Sequence, residues 1–141
     1  MYNKLFAFLL VLVLMTSCSS FKKAGSLVSP GSSREMLDDN TFKLTELADD
    51  ASYGLTQENP VKVGGVGTGP LNALLGPGGQ TITYNRTGSC CEFATPNGLM
   101  GGGLLDKYEV SYDGLDKPVI IFINMYDAGE LKAPKGFTFK K

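Results

Sequence analysis

The chain has 141 residues, with 13 Lys and Arg against 14 Asp and Glu, a formal net charge of −1 and no histidine. That length suits one ordinary domain and is short for two, while a near-neutral chain without a basic cluster to neutralise a row of phosphates excludes nucleic acid as a partner. The missing histidine removes the commonest general base and the usual activator of a Ser or Cys nucleophile.

At the N-terminus Lys4 precedes an unbroken apolar run, Leu5 to Met15, which reads as an export signal. The run falls short of the roughly 20 residues a helix needs to cross a bilayer. "LMTSC" resembles a bacterial lipobox, with small Thr16 and Ser17 before Cys18. The resemblance implies that residues 1–17 are a lipoprotein signal peptide, that cleavage precedes Cys18, and that its thiol receives a diacylglycerol. The partner would then be a membrane, engaged through acyl chains whose buried methylenes contribute about 0.8 kcal/mol each. Ser19 directly after Cys18 implies sorting to an outer membrane. Phe21, Lys22 and Lys23 stand where surface-exported lipoproteins carry acidic residues, which implies the periplasmic face. The alternative is an ordinary secretory signal cleaved near Ser19 or Ser20, leaving no anchor. Removing the signal takes Lys4 from the 13 basic residues, leaving 12 against 14 acidic ones, a charge of −2. Residues 18–34, rich in Ser, Gly and Lys without an apolar period, read as a lipid-anchored flexible tether, and 35–141 as a single globular domain.

Within that domain Ser33 could N-cap a helix that includes Met36, while Phe42, Leu44 and Leu47 suggest a short strand. "NPVKVGG" is a β-branched run ended by glycines. Pro70 at a first helical position and Gly76 just past the last one frame a short helix. In "QTITYNR", Ile82 and Tyr84 share a side opposite Thr81 and Thr83. Tyr108, Val110 and Tyr112 then alternate with Glu109 and Ser111, a turn holds Asp113 and Gly114, and a strongly apolar run follows from Val119 to Met125. The first of these strands has one wet face; the second is expected at the centre of a sheet, covered on both faces. "GFTF" adds a last strand with Phe137 and Phe139 pointing together. The prediction is an α+β domain, with a mostly antiparallel sheet of four to six strands and one or two short helices.

Cys90 and Cys91 are adjacent in "GSCCEFATPNGL". In an oxidising envelope compartment two remaining cysteines are expected to pair, yet consecutive Cα atoms lie about 3.8 Å apart, below the usual disulfide range of roughly 4.4–6.8 Å. A vicinal bridge therefore demands a strained tight turn and is easier to reduce. Two free thiols on opposite faces of a strand, and an intermolecular bridge, are the other readings. Zinc is not expected, since a structural site usually takes four Cys or His ligands; neither a metal nor a cofactor is called for. "GGVGTG", Gly64 to Gly69, lacks the lysine and hydroxyl pair of a phosphate loop, and Pro70 follows. The glycines between Asn97 and Leu105 suit positive φ or close passage of something bulky, a neighbouring strand or a ligand. Candidate acid–base groups reduce to Asp106, Glu109, Asp113, Asp127 and Glu130, with Lys107 and the tyrosines. Of these, Glu109, Asp113 and Asp127 are placed on the solvated side and turn of a hairpin. A Cys90 or Cys91 nucleophile would depend on Arg86 as its cationic neighbour.

The runs "YGLTQENPVKVGG", "GPLNALLGP", "ITYNRTGSCCEFATPNGL", "GLLDKYEVSYDG" and "INMYDAGELKAPKGFTF" resemble a family of small bacterial envelope proteins, many of them lipoproteins, from about Tyr53 to Phe139. Members often carry the name 2-dehydro-3-deoxyphosphooctonate aldolase. That enzyme is a TIM barrel of about 250 residues, twice the mature chain, so the name implies no residue role here and stands only as the alternative, enzymatic reading. The resemblance implies a membrane-anchored envelope lipoprotein with a small binding or structural domain, meeting an envelope protein or ligand. Independently of the resemblance, local composition makes the "SCCEFATPNGL" turn region with Arg86, Phe93 and Asn97 the candidate binding surface, where an unusual backbone meets an aromatic and polar groups.

Overall fold

The computed structural model describes residues 34–65 and 67–141. The apolar run, Cys18, Ser33 and the rest of the tether before Arg34 lie outside them. Arg34, expected at the tether's end, is docked on the domain. Its guanidinium donates to the carbonyls of Val63, Lys62 (3.1 Å) and Gly129 (3.0 Å) and lies 5.7 Å from the centre of the Phe42 ring.

Strands dominate. In chain order they are β1 (Met36–Asp38), β2 (Thr41–Phe42), β3 (Val61–Lys62), β4 (Leu74–Leu75), β5 (Ile82–Ala94), β6 (Gly102–Tyr112), β7 (Val119–Asn124) and β8 (Thr138–Phe139). A single helix α1 (Gly69–Ala73) and a 3-10 turn at Leu99–Gly101 complete the set of described elements. The main sheet has the order β3-β7-β6-β5. Its β5–β6 and β6–β7 pairs are antiparallel, as the alternation of Tyr108, Val110 and Tyr112 predicted, but β3 joins β7 in parallel through Val61 opposite Ile123. The sheet is therefore mixed. A parallel pair needs a long crossover, supplied here by α1, β4 and the β5–β6 hairpin, which lie between β3 and β7 in the chain.

Other expectations near the ends are revised. Met36 sits in a strand paired with β2, not in a helix, and the Phe42–Leu47 strand shrinks to Thr41–Phe42 because Leu47 turns outward, 53% exposed. The predicted helix keeps Pro70 in its first turn but ends at Ala73, where Leu74 becomes extended and β4 pairs with β8. Gly69 allows α1 to lie against β2, since a Cβ there would run into the Phe42 ring.

Apolar alternation places Tyr108 and Val110 of β6 beside Ile121 and Ile123 of β7 on one face, over Leu71, Leu74 and Phe137. Edge-on contacts between Tyr84 and Tyr108, and between Tyr112 and Phe137, close this core. The central position expected for β7 is the one found. Its second face, with Ile120 and Phe122, is only half-buried.

Candidate functional site

Pairing between β6 and β7 runs only from Asp106 to Val110 of β6. Gly102–Leu105 and their β5 partners Cys90–Ala94 therefore project past the end of β7 as a two-stranded overhang. Two bulges shape it. The register jumps across Arg86/Gly88 and again across Cys90/Glu92, leaving Thr87 and Cys91 as the extra residues. Cys91 has φ +59°, a left-handed conformation that costs an L-residue roughly 1–2 kcal/mol. The sulfurs of Cys90 and Cys91 are bonded across a Cα separation of 3.7 Å, so a covalent link between neighbours accompanies that conformation.

The register also decides which side chains share a face, because cross-strand partners point together and successive residues alternate. Arg86 is opposite Tyr108 and Ser89 opposite Asp106, on the core face; Cys90 is opposite Leu105 and Phe93 opposite Gly103, on the other. Arg86 and Phe93, grouped in one surface on sequence grounds, are thus on opposite sides of the ribbon. Arg86 is committed to Asp106 (2.7 Å), and the Ser89 hydroxyl joins both, 2.6 Å from the guanidinium and 2.8 Å from the carboxylate. Burial pushes the Asp106 carboxyl up, but hydrogen bonds from Arg86 and Ser89 outweigh it and hold the group below the ordinary carboxylate range. Arg86 is therefore not a cation aimed at a cysteine nucleophile.

A second knot fixes the overhang from below. Asp127, in the loop after β7, accepts from Thr95 Oγ1 (2.6 Å) and Asn97 Nδ2 (2.9 Å) on one oxygen and from Asn124 Nδ2 (2.8 Å) on the other. Those bonds, with Thr95 first, hold its carboxyl below the usual range against burial. Asn124, 1% exposed, returns its own oxygen to the backbone N–H groups of Tyr126 and Asp127. Tyr126 meets Phe93 edge-on, with ring centres 5.9 Å apart, and Gly103 makes room for them, since a Cβ there would lie 2.8 Å from the Tyr126 ring. What passes close to the glycine run at Gly103 is thus the Phe93 ring of the neighbouring strand together with the Tyr126 ring of the loop after β7. Phe93 and Asn97 are brought together with Tyr126 and Asp127, a constellation with no local motif to announce it. Asp127 is moved from the solvated hairpin side, where its position suggested it lay, to the centre of a hydrogen-bonded lock.

Beyond the lock, Leu99 and Met100 are 87% and 98% exposed, with Leu104 also on the surface. An open hollow of about 360 Å³ lies between Glu92, Phe93, Met100 and Gly102. The remaining carboxylates do not converge on it: Glu109 and Asp113 face solvent from β6 and the following turn. A separate cavity of about 350 Å³ is lined by Asp49, Asp50, Tyr53, Lys62, Glu130 and Lys132 among others. Lys132 bridges Glu46 (2.7 Å) and Glu130 (3.3 Å), which push its pKa up to about 12. The Tyr53 hydroxyl donates to the Glu130 carbonyl and accepts from the Lys132 N–H, while burial raises its pKa. These residues are far apart in the chain and carry no sequence motif. Among the described residues no group of three Cys, Asp or Glu is placed to hold a metal ion.

No family model matches the chain, and no curated protein or solved structure matches it either.

Proposed function

We propose that the protein is a lipid-anchored lipoprotein of the outer membrane, facing the periplasm, whose domain acts by binding another envelope protein through the tip of the β5–β6 overhang. The observation that carries this reading is the near-complete exposure of Leu99 and Met100 on a tip whose backbone is tied down by the Asp127 lock. Apolar groups held in one geometry lose little freedom on association, so such a tip favours binding. Against catalysis stands the use of the candidate carboxylates: Asp106 is spent on Arg86 and Asp127 on neutral donors. In the double variant Leu99→Ser/Met100→Ser the unfolding free energy is expected to change by less than about 0.5 kcal/mol. A photoreactive residue placed at Pro96, beside that tip, is expected to lose its envelope-protein adduct in the same variant. An adduct unaffected by the substitutions would overturn the reading.

Anchoring and the cysteine pair are tested in one measurement, the intact mass of membrane-extracted protein. The expected species carries acyl mass on Cys18, and thiol alkylation adds two groups only after reduction. Alkylation without reductant, or an unacylated Cys18, would refute the corresponding half of the proposal.

A further inference from the structure

We propose that β5 is the interface between two copies of this chain, paired antiparallel about a two-fold axis at Ser89. β5 is the outer strand of the main sheet; the Leu75–Thr81 bridge to β4 reaches no further than its first residue, and among the described residues 83–94 make no backbone–backbone hydrogen bond except within the β5–β6 ladder. The outer row of N–H and C=O groups is a template for one more strand.

Charge along the strand identifies the occupant. Arg86 and Glu92 lie equally far on either side of Ser89, so an antiparallel copy centred there sets each Arg86 opposite the other copy's Glu92, twice over. The two side chains share a face, since Arg86 is opposite Tyr108 and Glu92 opposite Leu104, an even number of positions apart on β6. Glu92 is exposed and forms no salt bridge with a described residue. Arg86 uses a single terminal nitrogen for Asp106 and Ser89, and its planar fork has further donors to offer.

Shape points to the same occupant. The bulged residues Thr87 and Cys91 also lie equally far on either side of Ser89. A bulge ordinarily bends an edge away from a straight partner. A second β5 carries the same bends at matching levels, so the two strands follow one path where an unrelated strand would diverge. This pairing does not depend on the hairpin-tip reading, and the variants used to test it leave Leu99 and Met100 untouched.

The test is sedimentation equilibrium of the full-length protein in density-matched detergent, together with the variant Glu92→Arg. The wild type is expected to be a concentration-dependent dimer, and the variant, which faces Arg with Arg at both ends of the pairing, to weaken it tenfold or more. A spin label on Asn85→Cys fixes the register: centred on Ser89, the two labels are separated by eight residues of strand, about 26 Å. A wild type that stays monomeric at every concentration, a dimer that Glu92→Arg leaves intact, or a label distance inconsistent with this register would each overturn the proposal. The label distance is read in a chain with Glu92 in place, so it decides the matter even if Glu92→Arg fails to fold.

Discussion

Ile121→Ala is expected to lower the unfolding free energy by about 3–4 kcal/mol, within the range for truncating a buried Ile or Leu. Ile121 is fully buried at the centre of β7, opposite Tyr108 of β6, among side chains drawn from β3, α1, β6 and β7. Neighbours from so many elements cannot all move into the space left behind, so the cavity term is added to the lost transfer free energy. A domain of this size is typically stable by only about 5–15 kcal/mol, and a loss of this magnitude is a large fraction of that. The adjacent Ile120, half-buried on the other face, is the control: Ile120→Ala should cost less than half as much. Urea unfolding of the three proteins checks both numbers. Equal losses at the two positions would mean that the second face is as densely covered as the first.

The same contrast explains what could be read from the sequence. β6 was legible because its side chains obey a period of two over a stretch long enough to show it, β7 because it is a short uninterrupted apolar run, and the Asp113–Gly114 turn between them has the composition its backbone needs, with Gly114 at φ +90°. β3 was visible as a β-branched run, but its parallel partner was not, because Val61 meets Ile123 across a chain separation that no local pattern encodes. The bulges were equally hidden. Gly88 sits at φ +136° with open space around its Cβ position, so its conformation rather than its surroundings calls for glycine, yet the register slip it accommodates concerns β6. That slip and its companion at Cys91 decide that Arg86 and Phe93 face opposite ways. The cysteine pair was conspicuous by composition, whereas Tyr53, Lys62 and Lys132 acquire a shared cavity only through the fold.

Asp127→Ala is expected to cost about 2–3 kcal/mol, since it leaves Thr95, Asn97 and Asn124 without their common acceptor, and Thr95 and Asn124 are buried. Asp127→Asn separates charge from shape. An amide oxygen in the Oδ1 position can still accept from Thr95 and Asn97, but its NH₂ group then faces the Asn124 NH₂, donor against donor, so the loss should be smaller without vanishing. Acid provides the independent check. The folded-state pKa of Asp127 is depressed, so its contribution is fully present above the ordinary Asp value of about 3.9 and is lost as pH falls through the depressed value. Asp106, also depressed, has the same sign and remains in both variants. The stability gap between wild type and Asp127→Ala should therefore be full at pH 7 and should shrink as the solution is acidified below about pH 4. Amide exchange locates the damage: protection should fall first between Thr95 and Gly102, where Thr95 and Gly101 close the tip with a backbone bond of 3.0 Å, while Ile121 and Ile123 keep theirs. If the gap stayed constant from pH 7 to pH 2, the carboxylate's charge would have no part in the lock, and the exposed tip would owe its geometry to the Phe93–Tyr126 contact instead.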